Sequence, residues 1–380
     1  MSKPPSYPAT NKQMSSFLLR SAIALLVYFG GNAQAHKYNI PTNIQPGTAT
    51  ADLVYSSSLG LDAPKISSVT NTSWDWWYFD VVSTNPEDRS SFTVIFYTAS
   101  SSALPSSSYS PSDAATWVQI IGSYPNGTLF GDTATVYTNG ATVSIGQDFT
   151  EGVWADSGFS WTGTASEYLI SIDSPALGVK GTMSLNAIAP SHLPCGEVTN
   201  DGTMLLGGQV GWVNIIPDAV AVVDLVVGGE PFKFSGSGYH DKNWAGVPFT
   251  TDVQSWYWGH ARFGPYSIVW FDMLDLSGIE HVSAYVARDD KIELASCVPN
   301  AVKVRPVPDV YPPTLSTPDP TGWQISIESA PKMNVTIGSL VRLVAAIPTY
   351  GRFSGNVTAV VEGGDVYHGM SLMEQFKLTE

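Results

Sequence analysis

Between Gly236 and Gly246 the chain reads Gly-Ser-Gly-Tyr-His-Asp-Lys-Asn-Trp-Ala-Gly. His240 offers a proton-transfer group, Asp241 a carboxylate and Asn243 an amide donor, with Trp244 as apolar surface beside them. The same residues equally suit a structural corner, in which His240 and Asp241 bond backbone groups and Trp244 fills a core. Two tryptophan-rich segments flank this stretch and echo each other. The first is Ser73-Trp74-Asp75-Trp76-Trp77-Tyr78-Phe79-Asp80; the second runs Ser255-Trp256-Tyr257-Trp258-Gly259-His260-Ala261-Arg262 and closes with Val269-Trp270-Phe271-Asp272. Side chains on a strand alternate between faces, so Trp74, Trp76, Tyr78 and Asp80 share one face. Trp256, Trp258, His260 and Arg262 share another, with Trp270 and Asp272 on a neighbouring strand. Such faces are too polar for an ordinary core and too aromatic for an ordinary surface. They suit the lining of a pocket for a large, flat or polyunsaturated ligand. Trp77 and Phe79, on the opposite face, are expected in a core.

The elements that must position these residues read as β structure. Runs with period-two patterning or β-branched enrichment recur, among them Phe92–Tyr97, Thr133–Tyr137, Tyr168–Ile172, Ala219–Val227, Val282–Val286, Leu340–Ala346 and Val357–Val361, punctuated by 34 glycines and 26 prolines. No window supports a long amphipathic helix. The chain is therefore expected to be all-β, built as an antiparallel sandwich or barrel. The echoed motifs suggest two halves, 62–230 and 231–380, after an irregular segment 36–61, with the join near Gly228-Gly229-Glu230-Pro231. Ser101–Ser112 and Val302–Pro320 read as exposed loops, the second covering a barrel mouth.

Three motifs now carry a family resemblance. Trp74-x-x-Trp77-Tyr78-Phe79-Asp80, Gly238-Tyr239-His240-Asp241-x-Asn243-Trp244 and Trp256-x-Trp258-Gly259-x-Ala261-Arg262 resemble the bacterial carotenoid 1,2-hydratases (hydroxyneurosporene synthases) and their lipocalin-like relatives. The same framework resembles fungal Diels–Alderases of secondary metabolism, in layout most nearly the hetero-Diels–Alderases of tropolone sesquiterpenoid pathways. The resemblance implies two lipocalin-like β-domains with a pocket at or between them. Two reactions then compete. A hydratase must protonate an alkene, which Asp80, Asp241 or Asp272 could do if apolar surroundings raise its pKa. A [4+2] cycloaddition needs no nucleophile, metal or redox cofactor. Aromatic walls gather the partners, and donors polarise a carbonyl. Trp74, Trp76, Trp244, Trp256, Trp258 and Trp270 are the expected walls; Tyr78, His240, Asn243, His260 and Arg262 are the expected donors. The reading that follows is a cofactor-independent pericyclase acting on a polyene or quinone methide. A terpenoid hydratase or isomerase is the alternative, and a carrier of an apolar metabolite the third. Asp80 and Asp272 also fit a role as buried anchors of backbone hydrogen bonds.

Composition narrows the field further. The chain has 380 residues, is 43% hydrophobic and 13% charged, and carries a formal charge of -15. Nucleic acid is a poor partner for such a surface. No Gly-x-Ser-x-Gly elbow occurs, and the six histidines lack zinc spacing, so no metal is expected. Lys12 and Arg20 precede an apolar run from Ala22 to Phe29, and Ala33-Gln34-Ala35 fits a signal-peptidase site. The run is too short to span a bilayer, so no membrane span is expected. Entry to the secretory pathway is consistent with four glycosylation sequons, at Asn71, Asn126, Asn334 and Asn356. In that compartment the two cysteines, Cys195 and Cys297, either pair or remain as buried thiols.

Overall fold

The computed structural model describes residues 35–105 and 114–380. The signal-peptide expectation and part of the Ser101–Ser112 loop lie outside the described residues. Within them the fold is β, interrupted by two three-residue 3-10 turns, Ser101–Ala103 and Phe249–Thr251. All paired strands run antiparallel and form two sheets. The first takes strands from His36–Ile40 through Glu230–Ala245; the second runs from Val253–Phe263 to Val366–Lys377.

Each sheet curls on itself as a lipocalin-like half. In the first, the Trp154 indole crosses to donate to the Tyr97 carbonyl. In the second, the amide of Val304 on the last strand of the path reaches back to Asp272 Oδ2. The 36–61 segment is more ordered than expected, because His36–Ile40 pairs with Ala141–Ile145. Gly228 and Gly229, both at positive φ, form the tip of the long hairpin joining Val210–Val227 to Glu230–Ala245. They stand inside the first sheet, so the change of sheet falls after Ala245 and not at residue 230. Leu340–Ala346 is also displaced: the strand there is Met333–Arg342, and the chain then leaves the sheet.

Three apolar cores result. One fills the first half (Trp77, Phe79, Trp154, Trp161, Trp244), one the second half (Tyr257, Trp270, Trp323, Phe353), and a third lies between the sheets (Trp74, Tyr78, Tyr239, Trp256, Trp258, Phe271). Strands that face two cores are buried on both sides, so Trp74–Ser83 is buried along nearly its whole length, Asp75 and Asp80 included. Cys195 and Cys297 form a disulfide linking the first half to the second. No helix among the described residues is long and apolar enough to cross a membrane.

Candidate active site

The middle core opens into a cavity walled by both sheets. Strand register explains which residues reach it. In the first sheet Asp241 lies opposite Tyr78, which lies opposite Ile95 and then Gln119, making one row across four strands. Asn243, Trp76 and Tyr97 form the row beside it. In the second sheet Trp258, Glu374 and Arg352 form one row, and Trp256, Phe376 and Tyr350 the next. All four rows line the cavity, and Phe249 closes one side.

Six of the residues expected from the sequence meet here: Trp76, Tyr78, Asp241, Asn243, Trp256 and Trp258. Trp74 sits directly behind, its ring stacked on Trp76 at 4.6 Å and its Nε1–H donating to the Val247 carbonyl. The remaining expected residues do other work. His240 points into the first half, where it stacks on Phe79 and bonds the Tyr78 carbonyl and Asp62 Oδ1 at 2.9 and 3.0 Å. Trp244 shares that core and donates to the Asp52 carbonyl. Trp270 and Asp272 lie on the opposite face of their strand, in the core of the second half. Register puts Trp270 opposite Gly259 and Asp272 opposite Tyr257, so they cannot share the face of Trp256 and Trp258. Asp272 is an anchor, held by the Val304 amide and Arg305; burial, with Glu280 nearby, raises its pKa to about 7. His260 and Arg262 face the first sheet but act as clasps between sheets, His260 on Asp80 at 3.0 Å and Arg262 on Asp218. Asp80 is therefore a clasp partner and does not line the cavity.

Asp241 is the group in this cavity best built for proton chemistry. It is 3% exposed, and two donors converge on one of its oxygens: Trp212 Nε1 at 2.9 Å and Tyr239 Oη at 2.8 Å, both on Oδ2. Tyr239 is itself fixed, accepting from Trp258 Nε1 at 3.2 Å and stacking on His260 at 4.7 Å. Burial pushes the Asp241 carboxyl well above the usual carboxylate range, against the opposing pull of the Trp212 and Tyr239 hydrogen bonds. With both donors on Oδ2, that oxygen acts as the carbonyl and the proton belongs on Oδ1. Burial favours this neutral form, a carboxylic acid among aromatic rings.

The C-terminal strands supply residues that the sequence motifs did not reveal. Arg352 donates from Nε to Glu374 Oε1 at 2.9 Å, and Tyr350 Oη donates to the same oxygen at 2.6 Å. Arg352 Nη1, Tyr78 Oη and Trp256 Nε1 are buried without a hydrogen-bond partner. The cue available in the sequence was a lone arginine at 352 and a lone glutamate at 374 within strand-like runs; their pairing depends on a register between strands. Among the described residues no cluster of His, Cys, Asp and Glu could hold a metal ion.

A family model described as Diels-Alderase-like matches residues 41–305. The chain is 35% identical to a quinolone epoxide rearrangement protein of Emericella nidulans, across 96% of this chain and 97% of that protein. It is 36% identical to a protein of the same description from Penicillium thymicola, across 83% and 89%. A Diels-Alderase of an Acremonium species is 29% identical over 62% of this chain and 58% of its own length. Among solved structures, CghA with Sch210972 superposes with a TM-score of 0.67 at 17% identity, over 91% of this chain and 99% of that one. Kievitone hydratase from Nectria haematococca superposes at 0.52 and 14% identity, over 90% and 99%. These two likenesses are of fold. The chain belongs to the Diels-Alderase-like family.

Proposed function

We propose that this member of the Diels-Alderase-like family isomerises a quinolone-type epoxide by acid catalysis, with Asp241 as the acid. The observation that carries the reading is Asp241 itself, a buried carboxyl favoured in its neutral form, fixed through Oδ2 and lining an aromatic cavity. The two near-full-length relatives described as quinolone epoxide rearrangement proteins support the substrate class.

The steps balance without an added reagent. Asp241 Oδ1–H gives its proton to the epoxide oxygen as one C–O bond breaks. The resulting carbocation is held against the π faces of Trp76, Tyr78 and Trp258, which attract positive charge. A neighbouring bonding pair shifts to the cationic carbon, the new cation loses a proton to the Asp241 carboxylate, and the acid is restored. Substrate and product are isomers. Enclosure by both sheets keeps water from trapping the cation.

The test is to incubate the purified protein with a quinolone epoxide in ¹⁸O-labelled water and weigh the products. An isomer without label is expected. A product heavier by one water would replace the reading with a hydratase, and binding without turnover would replace it with a carrier. The [4+2] cycloaddition is the second reading, favoured by the unpartnered donors of Tyr78, Arg352 and Trp256, which suit a carbonyl that must be polarised. Asp241→Asn separates the two, since a cycloaddition has no essential acid.

Export and glycosylation belong to the same proposal. All four sequon asparagines are exposed, and the Cys195–Cys297 disulfide suits an oxidising compartment. Expression in a fungal host should yield a secreted chain whose mass falls on treatment with peptide N-glycosidase; a cell-retained, unmodified chain would refute it.

A further inference from the structure

A buried donor without an acceptor costs about 1–3 kcal/mol, so such groups in a folded protein call for an explanation. Two of them, Tyr78 Oη and Arg352 Nη1, face the same cavity from opposite sheets. The Arg352 Cζ lies 5.2 Å from the Tyr78 ring. Neither has a hydrogen-bond partner within the protein. Glu374 Oε1 already accepts from both Arg352 Nε and Tyr350. Arg352 is 2% exposed, so water does not compete freely for its fork. A ligand entering the cavity would supply the acceptor.

The charge balance says what kind of acceptor. Arg352 is neutralised by Glu374, and Asp241, the other carboxyl on this surface, is favoured in its uncharged form. An anionic ligand would bring an uncompensated charge into a low-dielectric space beside Glu374, which is costly. A neutral carbonyl oxygen brings lone pairs without charge, and a hydrogen bond to a guanidinium is stronger than one to a neutral donor.

We propose, resting on the rearrangement reading, that Arg352 and Tyr78 form the recognition site for a neutral amide or lactam oxygen of the substrate, gripping it from both sheets. The ring system then spans the cavity between this anchor and Asp241, with Trp76 and Trp258 on its faces. Arg352 is thus a substrate-binding and specificity-determining residue. Its partner Glu374 is a positioning residue that fixes the fork through Nε and leaves Nη1 for the ligand.

Isothermal titration of the full chain with three probes of one ring system tests this: quinolin-2(1H)-one, quinoline, and quinoline-2-carboxylate. The lactam should bind about 10- to 100-fold tighter than quinoline, the range for one hydrogen bond to a charged group. The carboxylate should be the weakest of the three. Equal binding of lactam and quinoline, including no measurable binding of either, overturns the anchor, as does tightest binding of the carboxylate. Arg352→Gln should collapse the lactam-to-quinoline ratio to about one. Because that change disturbs a buried pair, Tyr78→Phe is the second variant. It leaves the pair intact and should lower the ratio about threefold to tenfold; an unchanged ratio removes Tyr78 from the site. Asp241→Asn should keep the ratio. A preserved ratio in a protein that does not isomerise the epoxide sinks the reaction reading alone, so the two failures are distinguishable.

Discussion

His240 and Asp241 are neighbours on one strand, yet they face different interiors and do opposite jobs. On the His240 side, in the core of the first half, the ionisable groups answer one another, and the unpartnered atoms there are the neutral Trp161 Nε1 and Thr150 Oγ1. His240 uses both ring nitrogens, on Asp62 and the Tyr78 carbonyl, and Tyr168 completes Asp62. Lys242 donates to Asp75 Oδ1 at 2.6 Å and lies 3.2 Å over the Trp77 ring, while the Lys65 amide completes Asp75 Oδ2. On the Asp241 side, in the cavity, polar groups are left incomplete: Asp241 Oδ1, Tyr78 Oη, Arg352 Nη1 and Trp256 Nε1. Both faces are buried and both carry charge-capable groups. What separates them is saturation. A closed network rigidifies a core, whereas an open one holds capacity for a ligand.

Substitutions on the two faces should therefore fail in different ways. The largest effect is expected at Asp241. Asp241→Asn keeps an acceptor oxygen for Trp212 and Tyr239 but removes the proton, so kcat should fall about 10²- to 10⁴-fold with the melting temperature nearly unchanged. Steady-state kinetics and a thermal melt on the same preparation check both halves of this. On the closed face the pattern reverses. Lys242→Met strands a buried Asp75 carboxylate and should cost about 3–5 kcal/mol, seen as a lower urea midpoint, with kcat per folded molecule unchanged. A stable variant would show that the Lys242–Asp75 pair is not what holds this core.

A smaller effect concerns pH. The fold favours the protonated form of Asp241, so its folded pKa is raised. The associated stability is fully present below the ordinary carboxylate range near 4 and is lost as pH rises through the raised value. Activity should follow the same group and decline on the alkaline side. Tyr239→Phe removes a hydrogen bond that pulls the Asp241 pKa down, so the alkaline limb should move to higher pH. A limb that stays in place, or moves lower, would mean that another group sets it.

Much of this arrangement was legible in the sequence. Period-two alternation separates Trp76 and Tyr78 from Trp77 and Phe79, and the structure places the two sets on opposite faces. The same rule separates Asp241 and Asn243 from His240 and Trp244, once the stretch up to Ala245 is recognised as part of the strand Glu230–Ala245. Read as a single chemical cluster, the segment pooled residues that an extended strand holds on opposite faces. Trp270 and Asp272 were misplaced for a related reason. Their own alternation was clear, but whether an even residue on one strand faces an even or odd residue on the next depends on register, here Trp270 opposite Gly259. The clasps made by His260 and Arg262, and the arrival of Arg352 and Glu374, depend on how one sheet packs on the other. The His260–Asp80 clasp alone spans 180 residues of sequence, and these contacts carry no local periodicity.

The central claim is that Asp241 is a neutral acid in the folded cavity. Isotope-edited infrared difference spectroscopy of ¹³C-aspartate-labelled wild type against Asp241→Asn, recorded across pH, reads that state directly. A protonated-carboxyl band assigned to Asp241 that persists at neutral pH and disappears only on the alkaline side, together with catalysis, is the expected result. A carboxylate signature for Asp241 at neutral pH, in a protein that still turns over its substrate, would contradict the account.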